Sequence, residues 1–295
     1  MKQPKVTIIV TQRERFCLTK LSLESIIKDD SYPFELIYVD CNSPSEVSEY
    51  LQEQAEKYEF MTLIRYEKYL RQNAARNLAL PLVNNSEYLV FIENDIIVEK
   101  GWLKPIVECA EQEQAAIISP LILEGNPKSP NKQVHIFGIN LNFETQESGE
   151  RSLKIQHLMH HEKLENQILQ RSQVDAVEFH CALVRYSLLQ KLPLDEVFDN
   201  LESHIDLCIQ AKNIGEKVFV EPSSQVTFLD PRIVNGFDGN DIKLYLFRWN
   251  NKLVIETLTH AAKKWNVDIK DPYWVALQNW ATIYRGLVSG TWVVS

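Results

Sequence analysis

Along the first hundred residues, short continuous apolar runs alternate with longer stretches in which apolar residues recur every three or four positions. The continuous runs are rich in β-branched and aromatic residues, as in strands buried on both faces, and the longer stretches have the spacing of amphipathic helices. Strands that alternate with helices predict an α/β fold with a mostly parallel sheet flanked by helices. The predicted strands are Val6–Val10, Phe34–Val39, Met61–Tyr66 and Tyr88–Ile92, and the predicted helices span about residues 18–27, 45–58 and 71–80, with Ser45 as the cap of the second.

The middle of the chain has a less regular pattern. Strands are expected near residues 115–123, 135–143 and 174–184. The polar stretch 144–173 has few apolar anchors and is expected to be a mobile functional segment, since long loops in compact domains are often functional. It contains His157, His160 and His161 at helical spacing. No carboxylate or thiol pattern surrounds these histidines, so a solvated helix or loop is expected in preference to a metal site.

Beyond Pro231 the pattern predicts helices, one over about residues 242–265 and another that Asp271 and Pro272 would begin. We therefore expect two parts, residues 1–230 and a C-terminal helical extension, residues 231–295. Five of the six tryptophans lie in the extension, and aromatic residues dominate core burial, so they are expected to pack it onto the first part. Alternatively, they form a platform or a partner surface. These tryptophans are Trp249, Trp265, Trp274, Trp280 and Trp292.

Composition narrows the choice of partners and compartment. The formal net charge is −9 with acids and bases interspersed, and nucleic-acid binding requires a basic face, so no nucleic-acid partner is expected. No apolar run is long enough to span a bilayer, and the N-terminus leads straight into a strand without a signal peptide. The five cysteines are widely spaced and form no Cys-x-x-Cys motif. We therefore expect free thiols in a reducing cytoplasm rather than a disulfide framework or a zinc site.

The apolar run Tyr88–Ile92 ends abruptly in two acids, Glu93 and Asp95. Residues two apart on a strand point to the same side, so both carboxylates are expected to face one spot at the carboxyl end of a central strand. Open α/β sheets bind ligands at that position. Two carboxylates suit a hard cation such as Mg²⁺ or Mn²⁺, which in turn can hold a diphosphate. The alternative is that both are ordinary solvated acids at a strand end.

The glycine motifs of common nucleotide-binding proteins are missing from the sequence. No Gly-x-Gly-x-x-Gly follows the first strand and no Gly-x-x-x-x-Gly-Lys-Ser/Thr occurs, which disfavours a dinucleotide oxidoreductase and a P-loop NTPase. The loop Thr11–Arg15 also lacks glycine, so nucleotidyl transfer onto a sugar phosphate is ranked last. Asp40, at the end of the second predicted strand, could accept a hydrogen bond from a base or ribose, or could cap its own turn.

Several short motifs follow one another along the chain. They are the strand Val6–Val10, Val39-Asp40-x-x-Ser43, Ala75-Arg76-Asn77, Glu93-x-Asp95, Gly101-Trp102-Leu103, Ile205–Cys208, Gly215 and Val218–Pro222. Taken in this order, they resemble the family 2 glycosyltransferases, which have the GT-A fold, over about residues 5–230. The resemblance implies inverting transfer of a sugar from a nucleotide-sugar, expected to be UDP-linked, to a saccharide, lipid-linked or other hydroxyl acceptor that the sequence does not identify.

The resemblance also implies roles for individual residues. Asp95 is expected to bind a divalent cation, Mn²⁺ or Mg²⁺, on the diphosphate. Glu93 is one methylene longer than the family's aspartate, and is expected either to join Asp95 at the metal or to contact the sugar or ribose. His180 is expected to line the sugar pocket or to be a hydrogen-bonded core histidine. The other expected nucleotide-sugar contacts are Thr11, Arg15, Asp40, Arg76, Asn77 and Asn94.

The chain departs from the family's pattern where the catalytic base is expected. The family has Glu-Asp where this chain has Ser203 and His204, and Glu202 lies one position earlier. Inverting transfer needs a base to take the proton of the acceptor hydroxyl, so Glu202 is the first candidate, and His204, with its near-neutral pKa, is the second. Asp206 is the third candidate in this segment and is expected to help cap a helix that begins at Ser203. The departure also supports an alternative function, a non-catalytic relative that binds a sugar nucleotide or a protein partner.

Overall fold

The computed structural model describes residues 3–129, 131–145, 147, 149–164, 168–198, 201–232, 236–270 and 272–289. Its first hundred residues form four parallel strands in the order β3-β2-β1-β4, with helices between them, as the apolar pattern predicts. The strands are β1 (Val6–Thr11), β2 (Glu35–Cys41), β3 (Met61–Tyr66) and β4 (Tyr88–Glu93). The helices are α1 (Thr19–Ile27), α2 (Ser45–Lys57) and α3 (Gln72–Ala79), the last followed by a 3₁₀ turn at Leu80–Leu82.

Alternate residues of β4 point into two different hydrophobic cores. Leu89 and Phe91 belong to the core on one face of the sheet, whereas Val90 and Ile92 belong to the core on the other. Both faces of the strand are buried, which explains why its apolar run is continuous.

The sheet continues beyond β4 with antiparallel and parallel neighbours, giving a mixed sheet that is still mostly parallel in its first half. Strand β11 (Cys181–Arg185) lies antiparallel between β4 and β6 (Ile117–Glu124), and β12 (Val218–Phe228) runs parallel to β6. The next elements are β5 (Ile96–Val98), α4 (Leu103–Glu113), β6 (Ile117–Glu124), β7 (Gln133–Ile136), β8 (Gly138–Thr145), β9 (Arg151–Leu158), β10 (Ser172–Val174), β11 (Cys181–Arg185), α5 (Tyr186–Lys191), α6 (Ser203–Asn213) and β12 (Val218–Phe228).

The prediction of an irregular mobile segment over residues 144–173 is wrong for its central part. Strand β9 pairs antiparallel with β8 over its whole length, from Gly138 opposite Leu158 to Thr145 opposite Arg151. Leu153 and Ile155 pack on the core and alternate with polar residues, which is the period of a half-buried strand. The predicted strand 174–184 is also wrong in its middle, because residues 175–180 leave the sheet between β10 and β11.

The C-terminal part forms three helices, α7 (Asp241–Arg248), α8 (Asn251–Trp265) and α9 (Pro272–Ser289). The single helix predicted over residues 242–265 is wrong, because the Asn250 side chain accepts hydrogen bonds from the backbone N–H groups of Lys252 and Leu253 and starts a new helix. Trp249, Trp265 and Trp274 lie in the same core as Leu89 and Phe91, so their predicted packing is confirmed, whereas Trp280 is 40% exposed. Two predicted features, the cap at Asp271 and the position of Trp292, lie outside the described residues.

The predicted helix caps are wrong at three positions. Ser45 and Ser203 are the first residues of α2 and α6, and Pro44 and Glu202 occupy the capping positions without a side-chain cap bond. Asp206 does not cap α6. Its buried carboxylate instead accepts hydrogen bonds from Gln210 Nε2 at 2.7 Å, Lys264 Nζ at 2.8 Å and Trp265 Nε1 at 3.0 Å. Asp206 therefore links α6 to the end of α8.

We expect Asp206→Ala to lower the free energy of unfolding by roughly 1–3 kcal/mol, because the buried indole N–H of Trp265 and the ammonium of Lys264 lose their partner. Chemical denaturation of the variant measures this loss. The matched control is Gln210→Ala, which removes only the half-buried hydrogen bond within α6 and should cost about 0.5 kcal/mol or less. Equal losses in the two variants would contradict a linking role for Asp206.

Candidate active site

The two acids that follow the central apolar run, Glu93 and Asp95, lie close together, but the backbone that brings them together differs from the predicted one. Strand β4 ends at Glu93, and Asn94 and Asp95 form the turn that leads into β5, so the side chains are not two apart on one strand. The turn nevertheless brings ligand atoms of Glu93, Asp95 and His180 within 4.8 Å of one another. All three residues are at least nine-tenths buried.

Arg13 lies between the two acids and was not among the site residues predicted from the sequence. Its guanidinium Nε is 3.0 Å from Glu93 Oε2, and its Nη1 is 3.4 Å from Asp95 Oδ2 and 3.6 Å from Glu14 Oε1. Burial alone would lower the pKa of Arg13, but these three carboxylates raise it. The signal was present in the sequence, because Arg13 comes just after β1, and open α/β sheets bind ligands at the carboxyl ends of their strands.

The two carboxylates differ in how well they are neutralised. Burial raises the pKa of Glu93, but Arg13 and His180 lower it to about 2. Burial raises the pKa of Asp95 to about 6, since the nearby charges of Glu93 and Glu14 add to burial and Arg13 only partly offsets it. Asp95 Oδ1 is buried without a hydrogen-bond partner among the described residues. Such an oxygen, beside a second carboxylate, fits a hard divalent cation.

His180 is buried in a polar cluster and does not pack as an ordinary apolar core residue. Its Nδ1 is 2.5 Å from Glu93 Oε2 and its Nε2 is 2.9 Å from Glu178 Oε2. Its ring stacks on Phe228, with 4.4 Å between the centroids. Burial lowers the pKa of His180, but the two glutamates raise it above its usual value. The imidazole therefore connects the acid pair to Glu178.

A cavity of about 470 Å³ opens beside Glu93. Arg76, Glu202 and His204 line it, together with strand β9 and helix α9. Arg76 is buried, and its Nη2 is 3.7 Å from Glu93 Oε1. Burial lowers the pKa of Arg76 to about 10, which leaves the guanidinium charged at neutral pH. The remaining wall is largely aromatic and imidazole in character, with Phe179, His157, His160, Trp249, Tyr273, Trp280 and Tyr284 among its members.

The two candidate bases differ in their protonation. Burial raises the pKa of Glu202 to about 7, and the Tyr273 hydroxyl, which donates to Glu202 Oε1 at 2.8 Å, only partly opposes this. Glu202 Oε2 is buried without a hydrogen-bond partner among the described residues. Burial lowers the pKa of His204 to about 4. Since an efficient general base has a pKa near the working pH, these values favour Glu202 over His204.

Asp40 and Thr11 lie at the carboxyl ends of β2 and β1, and neither lines the cavity. Asp40 accepts hydrogen bonds from Gln12 Nε2, from the backbone and hydroxyl of Ser43, and from Arg65 Nη1. The Thr11 hydroxyl donates to Gln72 Oε1 at 2.8 Å. Asp40 thus caps its own turn in this structure, which is one of the two roles that the sequence left open.

Three further expected contacts also stabilise loops. Arg15 is buried and donates to the carbonyl oxygens of Leu229 and Gly236. The Asn94 side chain accepts from the backbone of Arg13 and donates to the Arg15 carbonyl at 2.8 Å. Asn77 donates to the carbonyl of Leu194 at 3.0 Å. Asn94 therefore fixes the loop that carries Arg13 into the acid pair.

The histidines of the polar stretch are not on a helix. His157 lies on β9, and His160 and His161 lie in the turn that follows it. His157 and His160 line the cavity, and His161 Nε2 is 3.2 Å from Glu124 Oε1. The pairing of β8 with β9 places them there, a long-range contact that their spacing along the sequence did not indicate.

The curled, mostly parallel sheet with acids at the end of its central strand, flanked by helices, is a GT-A-like fold. The model of glycosyl transferase family 2 matches residues 7–192, more than half of the chain. The chain belongs to this family.

Solved structures of three glycosyltransferases share the fold. The crystal structure of GalNAc-T7 with UDP, GalNAc and Mn²⁺ has a TM-score of 0.60 at 15% identity, and the match covers 97% of this chain and 57% of that one. The mannosyltransferase PcManGT from Pyrobaculum calidifontis, with GDP-Man and Mn²⁺, has a TM-score of 0.56 at 14% identity, covering 99% and 77%. S. aureus TarS with UDP-GlcNAc has a TM-score of 0.53 at 14% identity, covering 96% and 73%. No curated protein matches the chain significantly.

This chain thus spans 57% of the length of the GalNAc-T7 chain that it resembles. No helix among the described residues is long and apolar enough to cross a membrane. The five cysteines are all unpaired, and only Cys17 is exposed.

Proposed function

We propose that this protein transfers a sugar from a UDP-linked donor to an acceptor hydroxyl with inversion, and that it requires a divalent cation. The observation that carries the proposal is the buried acid pair Glu93 and Asp95 at the end of the central strand, beside a cavity large enough for a sugar ring. The UDP and UDP-GlcNAc in two of the three related structures support a uridine donor, although the third holds GDP-Man.

Asp95 and Glu93 would hold the cation, Mn²⁺ or Mg²⁺. Mn²⁺ is present in two of the related structures. When bound, such an ion neutralises the diphosphate leaving group. In this structure the positive charge between Glu93 and Asp95 comes from Arg13. When a donor binds, the guanidinium would move from the carboxylates toward the phosphates. Guanidinium groups bind carboxylates and phosphates with the same paired geometry, so this exchange keeps Arg13 hydrogen-bonded.

Glu202 would take the proton of the acceptor hydroxyl. Its carboxylate lines the same cavity as Glu93, and its raised pKa matches a base that works near pH 7. The wall that α9 contributes, with Trp280 and Tyr284, would contact the acceptor. Aromatic faces bind the C–H surfaces of sugar rings as well as lipid chains, so the acceptor class stays open.

A second function, binding of a sugar nucleotide without turnover, is favoured by one observation. The Arg13 guanidinium occupies the space between the acids where a cation would bind. Guanidinium groups bind phosphates as well as carboxylates, so Arg13 could hold a diphosphate without the ion that turnover requires.

A donor screen separates the two functions. We expect the protein with Mn²⁺ to release UDP from one or more UDP-sugars, and release to stop in EDTA. Calorimetry with UDP on the same samples measures binding independently of turnover. Binding without release from any donor would favour the non-catalytic function, and release that is unchanged in EDTA would remove the cation from the proposal.

A further inference from the structure

Two imidazoles converge on one carboxylate oxygen on the cavity wall. His135 lies on β7, and Glu178 and His180 lie in the segment between β10 and β11. His135 Nε2 is 3.0 Å and His180 Nε2 is 2.9 Å from the same atom, Glu178 Oε2. Ligand atoms of the three residues all lie within 4.8 Å of one another. Neither acid of the pair Glu93 and Asp95 belongs to this group, and His180 is the residue that connects the group to the pair.

The other nitrogen of each imidazole is held by a further carboxylate. His135 Nδ1 is 2.8 Å from Glu124 Oε2, and His180 Nδ1 is 2.5 Å from Glu93 Oε2. Glu124 is 1% exposed and Glu93 is 5% exposed. Histidines that bind a metal through one ring nitrogen usually donate the other N–H to a carboxylate, which fixes the ring's tautomer and orientation. Both rings are therefore oriented with Nε2 toward the shared point.

The spacing fits a small tetrahedral ion. With zinc bonds of about 2.0–2.1 Å, neighbouring ligand atoms in a tetrahedron lie roughly 3.3 Å apart. The two observed nitrogen–oxygen distances need to lengthen by only a few tenths of an ångström to reach this value. The fourth position would face the cavity, which the same three residues line.

We propose that His135, Glu178 and His180 form a second metal site, one that selects a transition-metal ion, Zn²⁺ first, and leaves one coordination position open to the cavity. Two imidazoles and one carboxylate suit Zn²⁺, whereas the all-oxygen acid pair Glu93 and Asp95 suits Mg²⁺ or Mn²⁺. The chain thus has two adjacent sites of different hardness, joined by the two nitrogens of one histidine.

Titration of the full chain with Zn²⁺ in excess Mg²⁺ tests the site, because Mg²⁺ prefers oxygen ligands and competes little for imidazoles. We expect calorimetry to show one tight Zn²⁺ site in the wild type. Glu124→Gln removes an outer carboxylate, which typically costs 10–100-fold in metal affinity. His135→Ala removes a ligand itself, so we expect it to weaken Zn²⁺ binding by more than about 100-fold. Glu178→Gln provides a second ligand variant if His135→Ala fails to fold. Co²⁺ should give the visible absorption of a tetrahedral ion in the wild type only.

Two controls locate the ion. His260→Ala removes a histidine that pairs with Asp195 away from the cavity, and should leave Zn²⁺ affinity unchanged. Asp95→Asn alters the acid pair but not the histidine site, and should also leave it unchanged. Zn²⁺ affinity that is lost in Asp95→Asn but kept in His135→Ala would place the ion on the acid pair and overturn the proposal. A folded wild type that binds no Zn²⁺ would overturn it as well.

Discussion

Glu202→Gln is expected to fold and to bind UDP, but to transfer sugar about 10²–10⁴-fold more slowly than the wild type, the usual contribution of a general base. The amide keeps the size of the side chain and can still accept the hydrogen bond from Tyr273. It cannot take a proton. Steady-state turnover with the donor identified in the screen, alongside calorimetry with UDP, measures the two properties separately.

The pH profile gives an independent readout of the same residue. Because the pKa of Glu202 is raised to about 7, its basic form appears as the pH rises through that value, and kcat/KM should rise with it. Tyr273→Phe removes a hydrogen bond that lowers this pKa, so the rise should move to higher pH. If His204, with a pKa of about 4, were the base, the neutral range would be flat and His204→Ala would carry the rate loss instead.

Asp95→Ala is expected to abolish the dependence of UDP binding on a divalent cation. In the wild type we expect Mn²⁺ to tighten UDP binding by roughly 1–3 kcal/mol, the usual size of a coupling between two ligands. The variant loses the buried oxygen that has no partner among the described residues, and with it the negative charge that attracts the ion. Calorimetry with UDP in Mn²⁺ and in EDTA measures the difference for each protein.

The matched control for this variant is Asp30→Ala, which removes an exposed aspartate and should leave the Mn²⁺ effect intact. The same Mn²⁺ effect in Asp95→Ala as in the wild type would show that the ion binds elsewhere. If the wild type binds UDP equally well in Mn²⁺ and in EDTA, Glu93 and Asp95 pair only with Arg13 and no cation takes part in UDP binding.

The first half of the fold follows from local pattern, whereas the second half depends on contacts between distant segments. The predicted strand Tyr88–Ile92 lies within β4 (Tyr88–Glu93), because a continuous apolar run is a signal carried by the strand itself. The break before α8 depends on one asparagine side chain, which does not interrupt the apolar spacing from Ile242 to Trp265. Strand β9 was missed because its few apolar residues only become a buried face once β8 lies beside it.

The same distinction applies to the site. The sequence predicted five residues at the centre of the site. Four of them line the cavity, and the fifth, Asp95, lies next to Arg13. The four are Glu93, His180, Glu202 and His204. Their roles stay predictions. The partners that set their charges were not found, because sheet pairing and helix docking bring them from remote parts of the chain. These partners are Arg13, Glu178 and Tyr273.

The hydrogen bond between Tyr273 and Glu202 joins α9 to a residue seventy-one positions earlier in the chain. Burial raises the pKa of Glu202 from 4.5 to about 7, a difference equivalent to roughly 3 kcal/mol. Docking of α9 provides part of this burial and so disfavours the ionised form of Glu202. By thermodynamic reciprocity, ionisation of Glu202 weakens the docking of α9 by the same free energy. Protonation of Glu202 and docking of α9 therefore favour each other, and a ligand that strengthens the docking of α9 will also raise the pKa of the carboxyl group.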